Sequence, residues 1–189
     1  TEMTLKEIAT ELKKFDSALI FSHARPDGDT LGSAMALKTA LINLGMEADV
    51  VCASDIPEKY DIFPAFKTIK KPVEINKKYA AHVSVDISVE SMFGDSYHLY
   101  AKNANLFNID HHVSNSRYAK YNFVRANAAC CEIIYEFMQC LGAEITSEIA
   151  DYLILGIITD TGNFMHSNVT ENTFFVASKL VAAGARIHD

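Results

Sequence analysis

The feature that most constrains the fold is an alternation of short apolar runs with stretches of helical period. The runs are Ser17–Ser22 (SALIFS), Ala48–Ala53 (ADVVCA), Ala81–Asp86 (AHVSVD) and Asn105–Asp110 (NLFNID). They read as buried strands, and Tyr121–Val124 as a fifth, shorter one. Leu5, Ile8, Ala9, Leu12 and Phe15 stand at helical spacing, so a helix opens the chain within residues 2–15. Further helices are expected over Leu31–Leu44, Ala128–Leu141, Ser147–Thr159 and Glu171–Ala183, with Gly45, Gly142 and Gly184 as stops. Between residues 54 and 79, Pro57, Pro64 and Pro72 break any long element. Strands alternating with helices predict an α/β fold, a parallel sheet with helices on both faces. No linker or repeat divides the 189 residues, so residues 1–189 are read as one domain.

Composition narrows the function classes. A formal net charge of −7 argues against a non-specific nucleic-acid coat, which is usually basic. It leaves room for a phosphorylated substrate, because bound cations would invert the local sign. Cys52, Cys130, Cys131 and Cys140 form no C-x-x-C pair, so a structural zinc site is not expected. They read as reduced thiols of a cytoplasmic protein. No run of 18 apolar residues is present, and the N-terminal segment is charged and amphipathic, so neither a membrane span nor a signal peptide is expected.

Three expected strands end in metal-binding residue types: His23-x-x-x-Asp27-x-Asp29, Asp86, and Asp110-His111-His112. A fourth group, Thr159-Asp160-Thr161-Gly162, ends a helix. Open parallel sheets bind ligands at the carboxyl ends of their strands, so the first three groups should converge at one edge. Each alone has a plainer reading: a helix cap, a turn or a surface histidine. Together they describe carboxylates that repel one another unless cations are present. Oxygen ligands mixed with imidazole suit Mn²⁺ or Mg²⁺, with Zn²⁺ or Co²⁺ also compatible.

On the segments Ser22–Ser33 (SHARPDGDTLGS), Val85-Asp86, Asn108–His112 (NIDHH) and Gly156–Gly162 (GIITDTG), the chain resembles the DHH phosphoesterase family. Within it, the likeness is to the nanoRNase and phosphoadenosine-phosphate phosphatase branch. The motifs span residues from about 15 to 185 in the family's order. The resemblance implies two divalent cations, Mn²⁺ preferred. One would be held by His23, Asp27 and Asp86, the other by Asp29, Asp86, His111 and Asp160, so that Asp86 bridges. His112 would face the substrate phosphate, and the expectation here is that it points away from His111, because successive strand side chains alternate. Asp110 would orient a neighbouring histidine. Gly32 and Ser33 are expected to open a helix whose free N–H groups suit an anion, and Arg25 is the one basic residue near the motifs.

The implied reaction is hydrolysis of phosphodiester or phosphomonoester bonds, in short oligoribonucleotides or 3′,5′-bisphosphorylated adenosine, by a metal-activated hydroxide. His112, Asp86 and Asp110 are the implied catalytic group. The implied partner is a small nucleotide or short single-stranded oligonucleotide, and a homodimer stays open. Two alternatives remain: a cyclic-dinucleotide phosphodiesterase or exopolyphosphatase of the same family, and a non-enzymatic, metal-dependent nucleotide-binding domain. Members of this branch carry a second lobe that grips the substrate. Ile187-His188-Asp189 fall about where its connection is expected to begin, so that lobe is expected to be absent from residues 1–189. His82, His98 and His188 match no metal motif and read as structural, whereas His166, close after the Asp160 motif, reads equally as structural or as a residue of the site's edge.

Overall fold

The computed structural model describes residues 1–186; Ile187, His188 and Asp189 lie outside the described residues. Five strands form one sheet: β1 (Ser17–Phe21), β2 (Glu47–Val51), β3 (Ala81–Val85), β4 (Leu106–Asp110) and β5 (Tyr121–Val124). Their order is β2-β1-β3-β4-β5, and every neighbouring pair is parallel. The chain leaves β1 for β2 on one side and then returns to place β3 on the other. The crevice at this reversal lies between the carboxyl ends of β1 and β3, the usual ligand position in such sheets.

Alternate side chains of each strand enter separate cores. Ala18, Ile20, Val50, Val83, Val85, Phe107 and Ile109 meet α1 (Leu5–Leu12), α2 (Gly28–Asn43), α4 (Cys130–Leu141), α5 (Ser147–Asp160) and α6 (Glu171–Ala182). Leu19, Phe21 and Val51 meet Phe93 and Tyr100 on the opposite face. That face is covered by a 3-10 segment, Glu90–Ser96, and by α3, the single turn Tyr97–Tyr100. Helical segments therefore cover both faces, as expected, but unequally. Among the described residues no helix is long and apolar enough to cross a membrane.

Helix α2 runs through the larger core and begins at Gly28, three residues before the expected Leu31. The reason is Asp27, whose Oδ1 accepts the backbone N–H groups of Asp29 (3.1 Å) and Thr30 (3.0 Å) and caps the helix. Close packing of α2 on α5 depends on three glycines. A Cβ at Gly28 would overlap Thr159, one at Gly32 the carbonyl oxygen of Tyr152, and one at Gly156 both Cys131 and Asp29. The short side chains let the two helices approach until Asp29, early in α2, stands beside Asp160 at the end of α5.

Candidate metal centre

Every motif residue is delivered by the end of an element. His23 follows β1, and its backbone N–H donates to Thr30 Oγ1 (3.2 Å), which itself donates to Val85 O (3.4 Å). One threonine thus ties the ends of β1 and β3. Asp86, just past β3, adopts φ 58°, the left-handed region that aspartate tolerates better than most residues. Asp29 is fully buried against the start of α4, where it accepts the backbone N–H groups of Cys130 (2.6 Å) and Cys131 (2.9 Å). Helix α4 has no side-chain cap of its own, so the Asp29 carboxylate takes up its free donors and favours its dipole.

These placements assemble two groups of donors. His23 Nε2 lies 3.5 Å from Asp27 Oδ2 and 3.6 Å from Asp86 Oδ2. His111 Nε2 lies 3.2 Å from Asp86 Oδ1, 3.5 Å from Asp160 Oδ2 and 3.8 Å from Asp29 Oδ2. Two ligands, each about 2.1 Å from one ion at octahedral to tetrahedral angles, stand about 3.0–3.4 Å apart. The spacings fall at or slightly beyond that range. Asp86 offers one carboxylate oxygen to each group.

Hydrogen bonding explains why these groups call for cations. His111 Nδ1 lies 3.0 Å from Asn127 O, an acceptor, so Nδ1 carries the proton. In its neutral form the ring would present a lone pair at Nε2, on the side of the oxygens of Asp29, Asp86 and Asp160. His111 Nε2 and Asp86 Oδ1 are both buried with no hydrogen-bond partner, which is costly unless a charge of the right sign satisfies them. Four clustered carboxylates, Asp27, Asp29, Asp86 and Asp160, match the charge of two divalent cations. The donors present therefore fit metal ions.

Without a cation, protons take that role. Burial pulls the His23 imidazole down, but hydrogen bonds to Asp27 and Asp86 and their charges outweigh it and raise its pKa to about 9. Burial likewise lowers His111, and Asp86 and Asp29 outweigh it, raising the value to about 10. Burial, then the charges of Asp86 and Asp27, raise Asp160 to about 6. Both imidazoles are thus protonated at neutral pH and must lose protons to bind metal. Calorimetry of Mn²⁺ binding in buffers of different ionisation enthalpy should show release of about two protons at pH 7.5. Affinity should rise from pH 6.5 to 8.5. A flat pH profile without proton release would mean that these histidines are not ligands.

His112 departs from the alternation argument. The strand ends at Asp110, and the His111 and His112 rings turn toward the same side, their centroids 4.2 Å apart. What separates them is the partner of each Nδ1. His112 Nδ1 meets Asp110 Oδ1 at 2.8 Å, so its Nε2 is left for the cavity it lines. Asp110 Oδ1 thus pairs with the His112 ring, and it also accepts the His111 backbone N–H (2.9 Å).

Gly32 and Ser33 require a correction. They lie in the second turn of α2, fully buried, where backbone N–H groups already bond within the helix. Gly32 makes room for Tyr152, and Ser33 Oγ contacts Cys131 Sγ at 3.3 Å. Neither faces the cavity, because the helix starts earlier than its apolar period suggests. Arg25 is exposed and lines, with Ser91 and Met92, a space of about 320 Å³ that also borders His23, Asp86 and Asp160. His82 is buried against Phe21 on the second face, His98 is exposed elsewhere, and His166 Nδ1 lies 3.3 Å from Asp160 O at the site's edge. Residues the motifs do not announce are Asn127, which sets the His111 tautomer, and Asn168, whose Nδ2 donates to Asp160 O (3.1 Å).

An open parallel sheet with clustered carboxylates and imidazoles at its switch point defines a class of α/β protein built to hold metal ions. The family model for the DHH family, N-terminal domain, matches residues 17–157. The chain belongs to the DHH family. It is 33% identical over 186 residues to a bifunctional oligoribonuclease and PAP phosphatase of Thermus thermophilus, covering 97% of this chain and 55% of that protein. It is 28% identical over 182 residues to the protein of the same description from Bacillus subtilis, covering 93% and 56%. A crystal structure of an exopolyphosphatase-related protein from Bacteroides fragilis superposes with a TM-score of 0.89 at 20% identity, covering 96% of this chain and 57% of that one. The chain thus spans little more than half the length of these relatives.

Proposed function

We propose that this chain is the metal-binding half of a two-metal phosphoesterase acting on short oligoribonucleotides or 3′,5′-bisphosphorylated adenosine. The observation that carries the proposal is Asp86, whose two oxygens face two separate histidine–carboxylate groups. The relatives' description as oligoribonuclease and PAP phosphatase supports the substrate class. His23, Asp27 and Asp86 hold one cation; Asp29, Asp86, His111 and Asp160 hold the other. The oxygen-rich donor set favours Mn²⁺. When bound, two such cations acidify water and neutralise charge on phosphoryl oxygens. Around them, His112 donates from Nε2 to a phosphoryl oxygen, Asp110 holds the ring in that orientation, and Arg25 meets a further phosphate at the rim. The groups that grip the rest of the substrate come from outside residues 1–189.

The test is a Mn²⁺-dependent assay on a dinucleotide, a bisphosphorylated nucleotide and a cyclic dinucleotide, side by side. It is run with residues 1–189 and with a chain extended to the length of the relatives. The extended chain should prefer the first two substrates, and residues 1–189 should show both weak saturation and low turnover. Remote contacts position a substrate, and positioning accounts for several kcal/mol of a barrier. Equal kcat/KM for the two chains would refute the two-lobe reading. Preference for the cyclic dinucleotide would reassign the substrate, and no hydrolysis by either chain would leave a binding domain.

A further inference from the structure

Behind His112, on the thinly covered face of the sheet, lies a closed set of polar side chains that no metal motif includes. Asn108 and Ser84 belong to β4 and β3 and are fully buried, and Asn115, in the loop after His112, is nearly so. Asn115 Nδ2 lies 2.6 Å from Asp110 Oδ2, 2.9 Å from Asn108 Oδ1 and 3.1 Å from Ile87 O. Its own Oδ1 accepts the Arg117 backbone N–H at 2.6 Å. Asn108 Nδ2 (3.1 Å) and Tyr118 OH (3.0 Å) also donate to Ile87 O. That carbonyl immediately follows Asp86, whose backbone is left-handed.

We propose that Asn115 is a positioning residue, which links the backbone beside Asp86 to Asp110 and thereby fixes the orientation of the His112 ring. The inference rests on the phosphoesterase reading only for its kinetic consequence. Asp110 has two oxygens with separate duties: Oδ1 receives His112 Nδ1 and Oδ2 receives Asn115 Nδ2. Without the second bond the carboxylate is held through Oδ1 alone, by His112 Nδ1 and the His111 backbone N–H, and Oδ2 can swing about the terminal torsion, which is broad and roughly two-fold. His112 then loses the fixed partner that holds its ring in place. Supporting groups of this kind, hydrogen-bonded behind an active histidine, typically contribute about 10–100-fold to affinity or activity. Asn115 makes its bonds with one planar amide, so a residue that merely fills the same space cannot replace it.

The experiment is a double-mutant cycle on the Mn²⁺-loaded full-length protein with a dinucleotide, joined to nitrogen NMR of the Mg²⁺-loaded protein without substrate. Asn115→Ala should lower kcat about 10–100-fold with KM changed less than about threefold, and metal stoichiometry should stay as in the wild type. In a His112→Ala background the same substitution should change kcat by less than about twofold, because groups that act through one another are non-additive. In ¹⁵N-histidine spectra, the Nδ1 resonance assigned to His112 by its loss in His112→Ala should shift in Asn115→Ala, as the hydrogen bond to Asp110 changes. Should Asn115→Ala fail to fold, Asn115→Asp keeps the shape but loses the donor toward Asp110, and the same cycle is run with it. Equal kcat losses in both backgrounds, or an unmoved His112 Nδ1 resonance, would overturn the proposal. A wild-type protein that hydrolyses nothing while Asn115→Ala still shifts that resonance would sink the phosphoesterase reading and leave the positioning role standing.

Discussion

Asp86→Asn should abolish tight binding of both cations, whereas Asp27→Asn should weaken only one. Breaking a buried charge pair typically costs about 3–5 kcal/mol, and that corresponds to roughly 10²–10³ or more in affinity. Asp86 faces His23 through Oδ2 and His111 through Oδ1, so one substitution removes charge from both groups. Asp27 touches only the first group. Both changes leave the backbone alone. Asparagine tolerates the left-handed conformation that Asp86 adopts, and it caps helices about as well as aspartate, so α2 keeps its start.

Without metal, the same substitution acts on two opposed sets of charges. Asp29 and Asp160 have their carboxyls pushed above the usual range, first by burial and then in part by the Asp86 charge. Removing that charge relieves Asp29 and Asp160 but takes a partner from protonated His23 and His111, so Tm of the metal-free protein should move little. Mn²⁺ should then raise Tm in the wild type and barely move it in Asp86→Asn, because a ligand stabilises only through the affinity it has. Metal stoichiometry by calorimetry and Tm with and without Mn²⁺ decide the matter. Two ions bound to Asp86→Asn at wild-type affinity would remove Asp86 from its bridging place.

The sheet and its helices were legible because apolar runs with flanking glycines report burial, and burial is what the sheet needs. Legibility failed where polar side chains set the structure. The start of α2 is set by Asp27, a cap, whereas its apolar period begins at Leu31. The 3-10 segment and α3 lie over the smaller core, where the aromatic rings of Phe21, Phe93 and Tyr100 pack without a helical period long enough to read. The donors of both histidine–carboxylate groups were visible as motifs because metal ligands must be particular residue types at strand ends. Asn108 and Asn115 were not, although a signal existed. Ser84 and Asn108 are polar residues inside runs that otherwise read as apolar, and a buried polar side chain requires a partner. Asn127 contributes to the site only through its backbone carbonyl, which any residue type could supply.

His112→Ala should lower turnover by about 10²–10³ while leaving metal stoichiometry intact. His112 Nδ1 is committed to Asp110 Oδ1 at 2.8 Å, so the ring acts through Nε2 alone, and its side chain is more open to the cavity than that of His111. The hydrogen bond to Asp110, opposed by burial and helped by the charges of Asp110 and Asp86, raises the His112 pKa. A protonated ring donates from Nε2, which suits a phosphoryl oxygen gathering negative charge. Loss of one such aligned donor typically costs about 10²–10³ in rate. A rival assignment exists, because Asp86, Asp110, His111 and His112 also stand within ligand distance of one another. It requires His112 to offer its lone pair at Nδ1, the nitrogen that Asp110 already faces, and so to break that pairing. The two assignments separate cleanly when kcat and bound Mn²⁺ are measured on the same samples. A fall in kcat with the wild-type complement of ions makes His112 the phosphate donor. Loss of an ion, with unchanged turnover per ion that remains, makes it a ligand.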